Sequence, residues 1–288
     1  MIGTILRVLK RNQTKIMNRI DTTFARLKAD GEKALIAYIM AGDPSLADTE
    51  GLVLELERAG ADIIELGVPF SDPIADGPVI QKAAERALRS GTSLRKILDA
   101  VTTLRRRTQI PLVLMAYYNS IHAFGEAAFC LEAARAGVDG LIVPDMPPEE
   151  DALLVAETCD GAPHLIYLLA PTSTPNRCAQ VARRSKGFLY YVSLTGITGA
   201  QLPDLEGVRR NIAKIRRLTK VPVAIGFGVA TPDDARRVGE IADGVIVGSA
   251  IVRRIEEFRD HPSMIEQVGR VAALLKAAIA RSPSAVAG

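Results

Sequence analysis

Three carboxylates, Glu65, Asp72 and Asp76, fall within the fourteen residues 65–78, ELGVPFSDPIADGP. Glu65 follows the apolar β-branched pair Ile63 and Ile64, while the two aspartates lie among three prolines and two glycines. Two carboxyl groups held in different environments can take opposite protonation states, which general acid–base chemistry requires. In parallel α/β folds such an acid, at a strand's carboxyl end and under a loop, stands where chemistry is placed. An ordinary surface loop also favours Pro, Asp and Gly, so the surrounding elements must decide between the two readings.

Those elements alternate. A short amphipathic helix over 19–30 presents Ile20, Phe24 and Leu27 on one face and stops at Gly31. After it the sequence predicts strands at 34–40, 62–66, 111–117, 139–143, 164–169, 187–192, 221–226 and 243–247. Helices are expected at 46–59, 79–90, 93–106, 123–136, 148–158, 174–184, 205–218 and 231–239, with further helices to the end. Several strands are continuous apolar runs, the pattern of strands buried on both faces. Eight strand–helix units in about 250 residues match a (β/α)8 TIM barrel of the α/β class, with an extra N-terminal helix and additional helices after strands two and eight. An open doubly wound sheet is the alternative. A weak internal echo, AGADIIELG, AGVDGLIVP and IADGVIVGS, favours the barrel, and Gly60 and Gly137 read as left-handed helix ends.

In a barrel the residues after each strand line the site. They are Tyr38 with Gly42-Asp43-Pro44, then Glu65 and its loop, Tyr117-Tyr118-Asn119, and Pro144-Asp145. Tyr190 leads into the Gly- and Thr-rich loop 193–200, which suits a closing lid or a plain flexible connection. The last strands end in Gly226-Phe227-Gly228 and Gly248-Ser249, with a helix starting after Gly248. Glycines there leave backbone N–H groups and a helix N-terminus free to hold a phosphate. No lysine stands in a strand or at a strand's carboxyl end, which argues against a Schiff-base aldolase. His122, His164 and His261 are scattered and no cluster suggests a metal, so the metal expectation is none. The residues point to a carboxylate-driven reaction on a phosphate ester.

Composition agrees with an ordinary globular protein. The 288 residues are 48% hydrophobic and 24% charged, and no apolar run reaches the length of a membrane span. Cys130, Cys159 and Cys178 are odd in number, unpaired in spacing and placed on expected helices, as in a reduced cytoplasmic protein. Of the net charge of +3, Arg7, Lys10, Arg11 and Lys15 come from residues 1–16, so the body is near neutral and nucleic-acid binding is not indicated. Residues 1–16 read as a basic extension, disordered or an artefact of an upstream start with Met17 as the natural one. Residues 17–281 read as one barrel domain and 282–288 as a disordered tail.

The motifs resemble the α subunit of tryptophan synthase from about Arg19 to Arg281. ELGVPFSDPIADGP is similar to that family's segment around both catalytic acids. YIMAGDP, VPDMPPEE, APTSTP, YYVSLTGITG, GFGV and VIVGSAIV follow in the family's order. The resemblance implies cleavage of indole-3-glycerol phosphate to indole and glyceraldehyde 3-phosphate. It implies Glu65 as the proton shuttle and Asp76 as the partner of the indole N–H. Tyr38, Tyr117, Tyr190 and Phe227 would line the substrate pocket, and Thr198, Gly199, Gly228, Gly248 and Ser249 would surround the phosphate. It also implies a β subunit carrying pyridoxal phosphate, in an αββα heterotetramer, with Asp72, Pro73 and Asp145 on the communicating surface and no cofactor in this chain. Ala116, Ser120 and Leu194 depart from the residues usual in the family. A regulatory subunit with decayed chemistry, and another phosphate-binding barrel such as an isomerase or a flavin barrel, are the competing readings.

Overall fold

The apolar runs form strands of a parallel sheet that curls round on itself. The computed structural model describes residues 17–151, 154, 161–192, 205–226 and 228–280. The strands are β1 (Ala34–Met40), β2 (Ile63–Gly67), β3 (Leu112–Met115), β4 (Gly140–Ile142), β5 (His164–Ile166), β6 (Leu168–Leu169), β7 (Leu189–Val192), β8 (Val223–Gly226) and β9 (Gly244–Val247). Their order is β5-β4-β3-β2-β1-β9-β8-β7-β6, every pair being parallel. This is an α/β TIM barrel.

Nine strands appear instead of the expected eight because the run 164–169 is broken at Tyr167. The Tyr167 N–H turns to Ser185 Oγ at 3.4 Å, and its hydroxyl donates to the buried carboxylate of Asp151. The break falls on the closing seam. There β5 pairs with β4 while β6 pairs with β7, and the Tyr190 N–H still donates to the Tyr167 carbonyl at 3.1 Å.

Eleven helices are seen among the described residues: α1 (Arg19–Asp30), α2 (Leu46–Arg58), α3 (Pro78–Arg89), α4 (Leu94–Leu104), α5 (Tyr118–Phe124), α6 (Glu126–Ala136), α7 (Pro175–Arg184), α8 (Leu205–Arg216), α9 (Pro232–Gly239), α10 (Ser249–Phe258) and α11 (Met264–Ile279). The helix expected over 123–136 is two. Gly125, at φ 91°, interrupts it, and α5 begins earlier than the apolar pattern suggested. The expected extra helices are α1 at the start, α4 after α3, and α11 after α10. No helix among the described residues is long and apolar enough to cross a membrane. Residues 1–16, the tail 282–288, Cys159, Leu194 and residues 152, 153 and 155–158 of the expected helix 148–158 lie outside the described residues, while 148–151 form turns instead of the helix expected there.

Side chains along β1 alternate between two cores. Leu35, Ala37 and Ile39 pack outward against the helices, whereas Ala34 and Ile36 meet Ile63, Val113, Ile142 and Ile246 inside the barrel. Ile20, Phe24 and Leu27 of α1 join that interior cluster and plug the amino-terminal mouth. Each such side chain contributes about 1.5–3 kcal/mol by leaving water.

The aspartates of the internal echo hold the same mouth. Asp62, Asp139 and Asp243 accept the N–H of Leu35, Leu112 and Val223, each at 2.9 Å, on a neighbouring strand. Each is also ion-paired: Asp62 with Arg26 and Lys276, Asp139 with Arg19 and Arg105, and Asp243 with Arg216. The echo therefore marks a repeated strand-to-strand staple.

Candidate active site

Glu65 is set by β2's alternation and register. It lies opposite Tyr38 on β1 and Val113 on β3, two residues before the strand's end. It points into the carboxyl-terminal mouth of the barrel, is 0% exposed, and neither carboxylate oxygen has a hydrogen-bond partner among the described residues. Burial, and then the Asp76 charge, pushes its pKa up to about 8. At pH 7 the group is therefore mostly a neutral acid.

Asp76 comes from the loop between β2 and α3, with Gly77 as N-cap and Pro78 opening the helix. Burial raises its pKa to about 6, against a lowering by its hydrogen bond from Tyr117. It is thus mostly ionised at pH 7. The Tyr117 hydroxyl also accepts the Ala75 N–H at 2.9 Å, and its ring stacks on Phe70 at 5.2 Å. One tyrosine from the end of β3 thereby fastens the acid-bearing loop at three points.

Tyr38 and Tyr190 cross the mouth on beds of glycine. A Cβ on Gly67 would collide with the Tyr38 hydroxyl, and one on Gly226 with that of Tyr190. Both phenols are buried, which raises their pKa well above 10 and keeps them neutral. Between them opens a narrow cleft. One end holds Glu65 and Asp76, its sides are Tyr38, Tyr190, Met115, Ile80 and Ile246, and its other end is Gly228, Val229, Gly248 and Ser249. Gly248 is the N-cap of α10, and Gly228 has φ 80°, so this far end presents backbone at a helix N-terminus.

The structure thus brings together Tyr38, Glu65, Asp76, Tyr190, Gly228, Gly248 and Ser249, with Tyr117 acting through Asp76. Asp72, Pro73 and Asp145 are not part of the cleft. Asp72 is exposed on the loop and accepts from Ser71 Oγ, Pro73 is half-buried, and exposed Asp145 accepts the Tyr118 N–H at 2.9 Å at the start of α5. Thr198, Gly199 and Phe227 lie outside the described residues. Asp43, read from the sequence as a strand-end residue, turns away from the cleft. It is fully buried and gripped by Arg86 of α3 through two bonds of 2.7 and 2.8 Å, and Arg86 also reaches Glu256 of α10 at 3.0 Å. This chain of charges ties the helix after Asp76 to the helix after Gly248.

Met115, Ile80 and Ile246 were missed as lining residues. Alternation counted back two from Gly248 reaches Ile246; Ile80 is set by the entry angle of α3 and leaves no sequence signal. Among the described residues no group of three or more His, Cys, Asp or Glu side chains gathers as a metal site would.

Comparison with known proteins agrees with this geometry. The family model described as Tryptophan synthase alpha chain matches residues 24–280. A tryptophan synthase alpha chain of Geobacter sp. (strain M21) is 51% identical over 260 residues, covering 90% of this chain and 97% of the relative. That of Geobacter sulfurreducens is 53% identical over 242 residues, covering 84% and 92%. The crystal structure of tryptophan synthase subunit alpha from Legionella pneumophila str. Paris superposes with a TM-score of 0.85 at 38% identity, covering 91% of this chain and 98% of that one. A barrel with one buried and one half-buried acid at its carboxyl-terminal mouth, matched along nearly its whole length, places the chain in the tryptophan synthase alpha chain family.

Proposed function

We propose that Glu65 and Asp76 carry the family's lyase reaction, cleavage of indole-3-glycerol phosphate to indole and glyceraldehyde 3-phosphate in tryptophan biosynthesis. The supporting observation is the pair of carboxyl groups on one cleft, Glu65 fully buried and Asp76 half-buried. An unpartnered buried acid with pKa about 8 stands in one cleft with a carboxylate of pKa about 6. Near pH 7 one group can give a proton while the other holds a negative charge.

The steps balance on these two groups. The Glu65 carboxyl protonates indole C3, and positive charge develops on the ring nitrogen, whose N–H donates to the Asp76 carboxylate. Glu65, now ionised, takes the proton of the glycerol hydroxyl beside the ring. The bond from C3 to that carbon breaks, its electron pair returns to the ring, and an aldehyde forms. Glu65 ends protonated, as it began. Tyr38, Met115, Ile80 and Ile246 would flank the indole. The phosphate would lie on the backbone of Gly228, Gly248 and Ser249, with Thr198 and Gly199 of the lid and Phe227 beside them.

The family's name implies a beta-chain partner. We place Asp72, Pro73 and Asp145 on the surface facing it, within an αββα assembly. Pyridoxal phosphate would belong to that partner, which would consume the indole. Release of glyceraldehyde 3-phosphate by the purified chain, measured alone and titrated with β subunit, tests the reading. A rate that rises to saturation with β subunit is expected, and no release under either condition would overturn it.

A further inference from the structure

A second cavity adjoins the cleft and shares two of its walls, Gly228 and Ser249. It lies among α9, α10 and α11, where Arg253 and Arg254 line it together with Leu274 and Leu275. The two arginines differ. Arg254 is engaged by Glu257 at 2.9 Å and lies over the Phe258 ring at 5.3 Å. Arg253 pairs with no carboxylate among the described residues. It folds back one helical turn, so that Nε donates to the Ser249 carbonyl and Nη2 to Ser249 Oγ, both at 3.2 Å.

That contact fixes which way the Ser249 hydroxyl can point. A guanidinium has donors and no acceptor. Ser249 Oγ must accept from Arg253, so its single proton is left to donate elsewhere, on the wall common to both cavities. A hydroxyl obliged to donate, backed by an unpaired cation, fits an anion and discriminates against a neutral alcohol.

We propose that Arg253 is a positioning and specificity-determining residue for the phosphate group, orienting the Ser249 hydroxyl toward it and supplying the positive charge that the backbone donors lack. The assignment rests on Gly228, Gly248 and Ser249 being the phosphate end of the cleft. Arg253 selects the phosphate monoester over the same skeleton without phosphate, and it takes no part in bond breaking.

The test uses the full chain with glycerol 3-phosphate as probe, its binding measured calorimetrically beside steady-state cleavage of indole-3-glycerol phosphate. Arg253→Met keeps the apolar stem and removes donors and charge. It is expected to weaken glycerol 3-phosphate about tenfold and raise KM by a similar factor, with kcat held within about twofold. Arg253→Lys, which keeps the charge, recovers part of the loss. Arg254→Met removes the same charge from the same cavity and changes neither constant. Ser249→Ala added to Arg253→Met costs less than Ser249→Ala alone, because the two act together. Should Arg253→Met fail to fold, Arg253→Gln gives the same reading. Wild-type affinity for the probe in the folded variant overturns the proposal, as does a wild type that ignores the probe. A wild type that binds the probe and cleaves nothing refutes the lyase assignment alone and leaves the Arg253 measurement standing.

Discussion

Asp139, at the amino-terminal mouth of the barrel, is saturated with partners, whereas Glu65, at the carboxyl-terminal mouth, has no hydrogen-bond partner among the described residues. Asp139 is nearly as buried as Glu65, yet it accepts one strand N–H and meets Arg19 at 2.9 Å and Arg105 at 2.6 Å. Asp62 repeats the pattern with Arg26 and Lys276. Glu65 sits among Tyr38, Tyr190 and apolar walls, and its desolvation is left uncompensated. The two ends of one strand layer thus treat buried acids in opposite ways. Saturation serves the fold, and uncompensated burial is what the proton-transfer role proposed for Glu65 requires.

The sign of the linkage follows. Glu65's folded pKa of about 8 lies above its ordinary 4.5. The folded state is therefore unpenalised below about pH 4.5, loses stability as pH rises, and reaches its full penalty above about 8. At pH 7 the cost is about 3 kcal/mol.

The contrast can be broken at either mouth. Asp76→Asn should lower kcat/KM about a thousandfold, because a neutral amide no longer balances the positive indole nitrogen; its melting temperature should not fall. A thermal drop without kinetic loss would make Asp76 a structural acid like those below. Asp139→Asn should do the reverse. Leaving Arg105, which is mostly buried, without its carboxylate costs about 3–5 kcal/mol in a urea titration, with kcat unchanged.

The pH profile sharpens the same point with a smaller effect. Wild-type kcat/KM should rise as Asp76 ionises through about 6 and fall as Glu65 loses its proton through about 8, roughly tenfold per unit beyond each limb. A flat profile between pH 5 and 9 would contradict the assigned states. The mildest test is Tyr117→Phe, which frees the Ala75 N–H and removes the bond that lowers Asp76. A loss of about tenfold in kcat/KM is expected, with the acid limb moved to higher pH. An unmoved limb would mean that Tyr117 only packs.

The upper mouth was far more legible in the sequence than the lower. The strand-then-loop pattern was enough to put Glu65 at a strand's carboxyl end and Asp76 on the loop above it, and Gly228 and Gly248 were visible as places where backbone can approach a ligand. The echo displayed Asp62, Asp139 and Asp243 without revealing their work, because each bonds a strand that lies 20 to 27 residues earlier. The break at Tyr167 was hidden for the same reason. It depends on Asp151 and Ser185, each held by elements outside the strand. Tyr117's grip on Ala75 spans 42 residues and needed the closed barrel to be seen. Gly125 was readable and was overlooked: a glycine inside an expected helix, at φ 91°, divides α5 from α6. Local pattern carried the positions, and only the fold carried the partnerships.

Glu65→Gln brings rate and stability into a single variant. Cleavage of indole-3-glycerol phosphate and thermal unfolding would both be measured at pH 7 on the same preparation. The proton shuttle is lost and the desolvated carboxyl is replaced by a neutral amide, so cleavage should fall more than about a thousandfold while the melting temperature rises by several degrees, roughly 2–4 °C for each kcal/mol regained. A variant that keeps the wild-type rate, or that loses activity only because it melts earlier, would contradict the assignment of Glu65 as a buried acid maintained at the expense of stability for proton transfer.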